Sequence, residues 1–348
     1  MTREPGLLEE LRQAADADAL ARGFAQVPGT LARCLAADPA PGPALGLHAS
    51  LVDTTVRRAL ELVLADHAEL APDRFTWLAL GSCGRRESAL SSDIDAAVVF
   101  HDSVTTVDIA RYRTAFGEVS RLLSRAGLRG DGHGVTPGNA LFARTRAGWR
   151  TAARQWLADP AENKGAIMAS LLVDGRTVVG EHEDAVGGVF SGLRRHPVTM
   201  RLLLREALSR RARRRSLPDL VRRRDTYDLK AHALLPIVNL ARWGALAVGS
   251  PALSTVERLR AAGDTQVLPE RHVDGLIEVV ESLHGLRLRY QLAQVERGEP
   301  SSDLIELSRI APADRAALRR AVRAIAAAQH RADNVIAYLD PAEWVPGR

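Results

Sequence analysis

Two short apolar runs, residues 77–80 (WLAL) and 96–100 (AAVVF), bracket a segment of glycine, serine and charge that could not sit inside a helix bundle or a sheet. Each run is too short for a buried helix and has the length of a strand covered on both faces. Gly81 stops the first, and Asp93-Ile94-Asp95 leads into the second. Between them, residues 85–90 have room for a turn or two of helix. Residues 107–126 then carry apolar groups at helical spacing as far as Gly127. Strand, helix, strand, helix implies an α/β layer.

The bracketed residues are those that triphosphate chemistry asks for. Moving part of a triphosphate takes charge neutralisation and alignment more than covalent help. A glycine turn closing a strand offers backbone N–H groups and a small hydroxyl to the outer phosphates. Gly81 and Ser82 stand there, and a side chain at 81 would block close approach. Asp93 and Asp95, two residues apart at a strand start, direct both carboxylates to one face while Ile94 turns to the core. Hard oxygen ligands on one face suit Mg²⁺ or Mn²⁺, whose remaining positions go to phosphate oxygens and water. Alone, Gly-Ser is most often a plain turn and Asp-x-Asp a solvated strand end. The order strand, Gly-Ser, short helix, Asp-x-Asp, strand has no structural explanation of that kind.

The rest of the chain reads as helix. Residues 1–72 are amphipathic and broken by the Pro/Gly cluster at 38–46; they predict a helical arm on the next domain. From about residue 193 onward the pattern is all helical. Val273, Leu276, Ile277, Val280, Leu283, Tyr290 and Ala293 share one face, Leu318, Val322, Ile325 and Ala328 another, and Pro236 interrupts a helix over 227–248. The expected organisation is an N-terminal helical region (1–72), a catalytic domain (73–192) and a C-terminal helical domain (193–340). The expected fold class is α+β or α/β, a mixed sheet with flanking helices followed by a helical bundle. Aromatics are only 4% of the 348 residues, so the core is aliphatic. A net charge of +5 is too small to imply nucleic acid. Cys34 and Cys83 have no metal-ligand spacing and suggest no disulfide. No apolar run reaches the roughly 18–20 residues of a membrane span, and the N-terminus has no signal-peptide pattern. A cytoplasmic protein without membrane partners is expected.

Gly81-Ser82-Cys83-Gly84-Arg85-Arg86-Glu87 and Ser92-Asp93-Ile94-Asp95 resemble the signature G-S-x-G-R-x-E … S-D-x-D of polymerase-beta-type nucleotidyltransferases, in the PII-protein uridylyltransferase branch. Within it the chain is most similar to nucleotidyltransferases that carry their own C-terminal substrate-binding domain. The resemblance runs from the N-terminal helices to about residue 335. It includes residues 149–160, the D-x-R-x-x-x-G segment from Asp174 to Gly180, and pieces at 227–236, 255–259 and 286–291. It implies a third carboxylate on a neighbouring strand, for which Asp174 is the candidate; an Asp174–Arg176 ion pair or a turn carboxylate at a strand end is the alternative. Arg85 and Glu87 either buttress the glycine loop or touch the triphosphate, and the guanidinium fork favours phosphate for Arg85. By resemblance, Asp228 and Lys230 line a substrate cleft.

Other features weigh less. The basic runs at 209–215 and 222–224 lack interleaved aromatics and read first as a solvated helix face, then as cleft electrostatics. His133 and Asn139 read as surface loop, and His232 and His284 as structural. The expected function is Mg²⁺-dependent transfer of a nucleoside monophosphate from a nucleoside triphosphate to a hydroxyl acceptor, by resemblance a regulatory protein. A catalytically silent nucleotide-binding module is the alternative, and an RNA-modifying transferase a third reading.

Overall fold

The computed structural model describes residues 4–130, 132, 134–160, 165–181, 193, 196–213, 225–339 and 343–345. The chain divides into two compact units, one of Met1–Ala153 with Leu171–Val186, the other of Arg154–Ser170 with Gly187–Arg348.

In the first unit four helices, α1 (Glu4–Arg12), α2 (Ala17–Phe24), α3 (Val27–Ala37) and α4 (Pro41–Ala65), precede β1 (Phe75–Ala79). A single helical turn, α5 (Gly81–Gly84), leads to β2 (Ala96–Phe100) and the long α6 (Thr106–Arg125). β3 (Ala143–Thr145), α7 (Arg146–Ala158), α8 (Gly165–Leu172) and β4 (Arg176–Val179) follow, with residues 154–170 of this stretch assigned to the second unit. The sheet is mixed, in the order β3-β2-β1-β4. β1 runs antiparallel to β2, with Trp77 opposite Val98, and antiparallel to β4; β2 and β3 are parallel. Every residue of β1 and β2 is buried; all are apolar except Thr76, whose hydroxyl donates to Glu181 O.

The scarce aromatics are concentrated where α6 meets the sheet. Phe75 and Trp77 alternate onto one face, Phe100 pairs with Phe75, and Phe116 of α6 lies 5.0 Å from Phe75 and 5.5 Å from Trp77, edge to face. Each such pair adds about 0.5–1.5 kcal/mol beyond its area. α6 is started by the Thr105 side chain, which accepts from the Asp108 N–H, and stopped before Gly127, whose φ is +93°.

The helices break at residues 38–40, within the Pro/Gly cluster as expected, and Pro41 opens α4 because the first turn of a helix needs no N–H. α4 is then buried on most of its faces, among α1, α2, α3, α6 and β4. α4 thus lies inside the first unit, with α1, α2 and α3 packed against it. Between β1 and β2 one expectation is corrected: the helical turn is 81–84, and residues 85–90 are turn and irregular backbone.

The second unit holds α9 (Pro197–Ser209), α10 (Leu235–Val248), α11 (Thr255–Ala261), α12 (Val273–Glu296) and α13 (Pro312–Tyr338). A two-stranded antiparallel ribbon, β5 (Thr226–Asp228) with β6 (Leu304–Glu306), departs from the all-helical expectation. Asp303 accepts two bonds from the buried Arg287 at 2.6 and 2.8 Å and one from Gln291, which ties the ribbon to α12. Ahead of α10 the backbone makes one π-helical stretch, Lys230–Leu234, where Pro236 supplies no N–H. By length and composition the span Lys230–Val248 could cross a bilayer, contrary to the sequence expectation, yet 67% of its most apolar window is buried, as in a core helix.

Phe116→Ala is expected to lower the unfolding free energy by about 3–5 kcal/mol. Guanidinium unfolding followed by tryptophan fluorescence checks it, and a loss under about 1 kcal/mol would mean that α6 is not held by this cluster.

Candidate functional site

Leu80 leaves the sheet but stays tied to it, its N–H donating to the Asp95 carbonyl at 2.9 Å. The start of the glycine turn and the second aspartate are therefore held edge to edge. Gly81 has a φ of +54°, and a Cβ there would lie 2.7 Å from Asp95 Oδ2. Either fact alone disfavours a side chain. At Gly84 a Cβ would overlap the Asp174 carbonyl oxygen and sit 2.7 Å from that of Ala79. The leading N–H groups of a helical turn have no acceptor inside it, and Ser82 stands among them, half-buried.

Asp93 and Asp95 are partly exposed on either side of the buried Ile94, which bridges to Gly130 in parallel fashion. The Ile94 N–H donates to Arg129 O at 2.8 Å and the Ala96 N–H to Val135 O at 3.1 Å, so the segment is pinned on both sides. Cys83 is buried between turn and aspartates, its Sγ donating to Asp93 O. Burial first, then the Asp95 charge, push its thiol up to about 12. It is a neutral packing group and not a thiolate ligand. Two accessible carboxylates beside an open helical turn fit a hard divalent cation completed by phosphate and water. Among the described residues no group of three His, Cys, Asp or Glu converges on a cation position.

Arg85 and Asp174 are engaged elsewhere. Arg85 is buried; its Nε donates to Glu87 Oε2 at 2.8 Å and its Nη1 to Asp174 Oδ2. Burial would lower the Arg85 pKa, but Asp174 and then Glu87 outweigh it and the net direction is up. Arg85 is a fixed internal cation. Asp174, wholly buried, lies in the turn between α8 and β4 rather than on a strand, because Leu171 and Leu172 end a helix. This corrects two expectations. Arg85 and Glu87 take the buttressing alternative, and Asp174 is an ion-pair partner of Arg85, not an accessible metal ligand.

The Asp174–Arg176 pair is replaced as well. Arg176 of β4 grips Asp53 of α4 with two parallel bonds of 2.8 and 2.9 Å. The same guanidinium donates to Gly84 O at 3.2 Å and Cys83 O at 3.0 Å, covering the carbonyl end of the turn. Sequence reasoning missed Asp53 and offered Arg176 only as a partner of Asp174. The signal was an aspartate amid the apolar positions of a long helix, together with the arginine of the D-x-R segment.

The remaining candidates have local roles. Asp228 accepts the Ala231 N–H at 2.7 Å and caps the π-helical stretch; it and the half-buried Lys230 belong to the second unit. Asn139 accepts from the Leu141 N–H and donates to Gly134 O. Arg211, in the basic run, pairs with Asp333 through bonds of 2.7 and 2.9 Å. His133 and residues 214–224 lie outside the described residues.

Comparison with known families agrees with this architecture. Residues 25–163 match the family described as "Putative nucleotidyltransferase DUF294", and residues 197–336 match "Putative nucleotidyltransferase substrate binding domain". The chain belongs to this nucleotidyltransferase family, and its function is of the nucleotidyltransferase type. No curated protein matches it.

Arg85→Ala would strand two buried carboxylates, and a stability loss of about 3–5 kcal/mol is expected. A folded, equally stable Arg85→Ala protein, by thermal unfolding, would return Arg85 to the role of a ligand contact.

Proposed function

We propose that the protein transfers a nucleoside monophosphate from a nucleoside triphosphate to a hydroxyl acceptor and releases pyrophosphate. The observation that supports this most is the approach of Gly81 to Asp95: the turn suited to phosphate and a carboxylate suited to a cation share one edge. Gly81 and Ser82 bind the triphosphate tail at the open end of α5. Asp93 and Asp95 hold Mg²⁺ or Mn²⁺, which when bound neutralises phosphate charge and aligns the α-phosphate. Arg85 and Glu87 keep the turn rigid. An acceptor oxygen forms a bond to the α-phosphorus as the bond to the β-phosphate oxygen breaks, and the hydroxyl proton leaves to solvent at the half-buried aspartates. The acceptor class favoured by family resemblance is a side-chain hydroxyl of a regulatory protein. The location would be cytoplasmic.

The burial of Asp174 against Arg85 favours one second reading, a module that binds triphosphate without turnover, since a third carboxylate is not offered to the cation. Pyrophosphate release separates the two. Wild type and the Asp93→Asn and Asp95→Asn variants are incubated with each labelled triphosphate, Mg²⁺ and a lysate of the source cell. Wild type is expected to release pyrophosphate and label a product, and each variant to lose at least about 100-fold, in the range of lost electrostatic catalysis. Binding without pyrophosphate release under any condition would leave the module reading standing and remove the enzyme.

A further inference from the structure

Four residues of α4, Gly46, Ser50, Asp53 and Arg57, recur at spacings of four, three and four and so form one stripe of the helix. All four make polar contacts to the segments that carry the site. Arg57 Nε donates to Val178 O of β4 at 2.9 Å, and Asp53 holds Arg176. Gly46 O and Ser50 Oγ accept from Arg86 Nη2 at 3.1 and 2.9 Å, and Asp53 Oδ2 lies 3.6 Å from Arg86 Nη1. Arg86 is the second residue past the glycine turn, and its φ is +60°. It is the one non-glycine residue among those described with a positive φ, a conformation that a long side chain rarely adopts unless its surroundings impose it. Buried His48 of α4 meets Ser88 Oγ at 3.0 Å. The segment 83–88 is thus tied to α4 directly at Arg86 and Ser88, and through Arg176 at Cys83 and Gly84.

We propose that Arg86 is a positioning residue for the nucleotide site. Its guanidinium, held on the α4 stripe, sets the loop so that the open N–H groups of α5 and the Asp93/Asp95 carboxylates address the same phosphate. This rests on the nucleotide reading above. It gives the N-terminal helices, which pack around α4, a direct mechanical hold on the site. Ordinary surface ion pairs have little effect; this one differs because it closes on a strained backbone position.

The test uses the full chain and two readouts. Backbone hydrogen exchange over residues 81–92 is measured without ligand, and binding of Mg²⁺-ATP, Mg²⁺-UTP and magnesium tripolyphosphate by calorimetry. Arg86→Ala is expected to speed loop exchange about tenfold and to weaken binding of these probes about tenfold. Ser50→Ala, which leaves the loop sequence intact, should shift both in the same direction by about threefold, and Arg86→Lys should recover part of each. Unchanged exchange in both alanine variants overturns the tether. Faster exchange with unchanged affinity overturns the positioning role, leaving a structural contact only. A wild type that binds none of the probes refutes the nucleotide reading and this inference with it, whereas normal wild-type binding beside unaltered variants refutes this inference alone.

Discussion

The guanidinium of Arg176 is where the site is assembled. An arginine that is mostly covered, as Arg176 is, must satisfy most of its N–H groups internally. Here one side of the fork closes on Asp53 and the other on the carbonyls of Cys83 and Gly84. Three segments distant in sequence, α4, the glycine turn and β4, are thereby fixed to one cation. Covering the carbonyl end of α5 leaves its N–H end as the open one, which is the polarity an anion needs. Removing either partner would leave a charge uncompensated in the interior, so the arrangement is all-or-none.

Around that cation the first unit is organised by a contrast in burial. From Gly81 to Ala96 most side chains are buried, while Arg86 is exposed and Ser82, Leu90, Ser91, Asp93 and Asp95 keep partial access. The aromatic cluster of Phe75, Trp77, Phe100, Tyr112 and Phe116 seats α6 on the sheet, and the backbone bonds of Leu80, Ile94 and Ala96 carry that rigidity to the aspartates. A carboxylate pair positioned in this way pays its ordering entropy on folding, before any ligand arrives. Cys83, neutral at ordinary pH, fills the gap between turn and aspartates without competing for a cation.

Much of the site could be read directly. Gly81 closes on Asp95, and Asp93 and Asp95 flank the buried Ile94, because strand alternation and a glycine turn act over neighbouring residues. The errors lie where the argument depended on distant partners. Arg85 looked like a phosphate ligand because a guanidinium suits phosphate, but it also suits two carboxylates, and only packing decides which it meets. Asp174 looked like the head of a strand because 171–173 is apolar, a run too short to separate a strand from the last turn of a helix. The same ambiguity hid the β5–β6 ribbon, whose three-residue strands carry too little periodicity to register.

The sequence by itself determined the paired apolar strands, the glycine turn, the carboxylate pair and the helical character of the rest, all set by local periodicity and backbone sterics. The tertiary structure alone decided that α4 lies inside the first unit, that Asp53 answers Arg176, and that Arg85 and Asp174 neutralise each other. Charge pairing in the interior joins residues more than a hundred positions apart, and no local pattern announces which arginine a buried carboxylate will find.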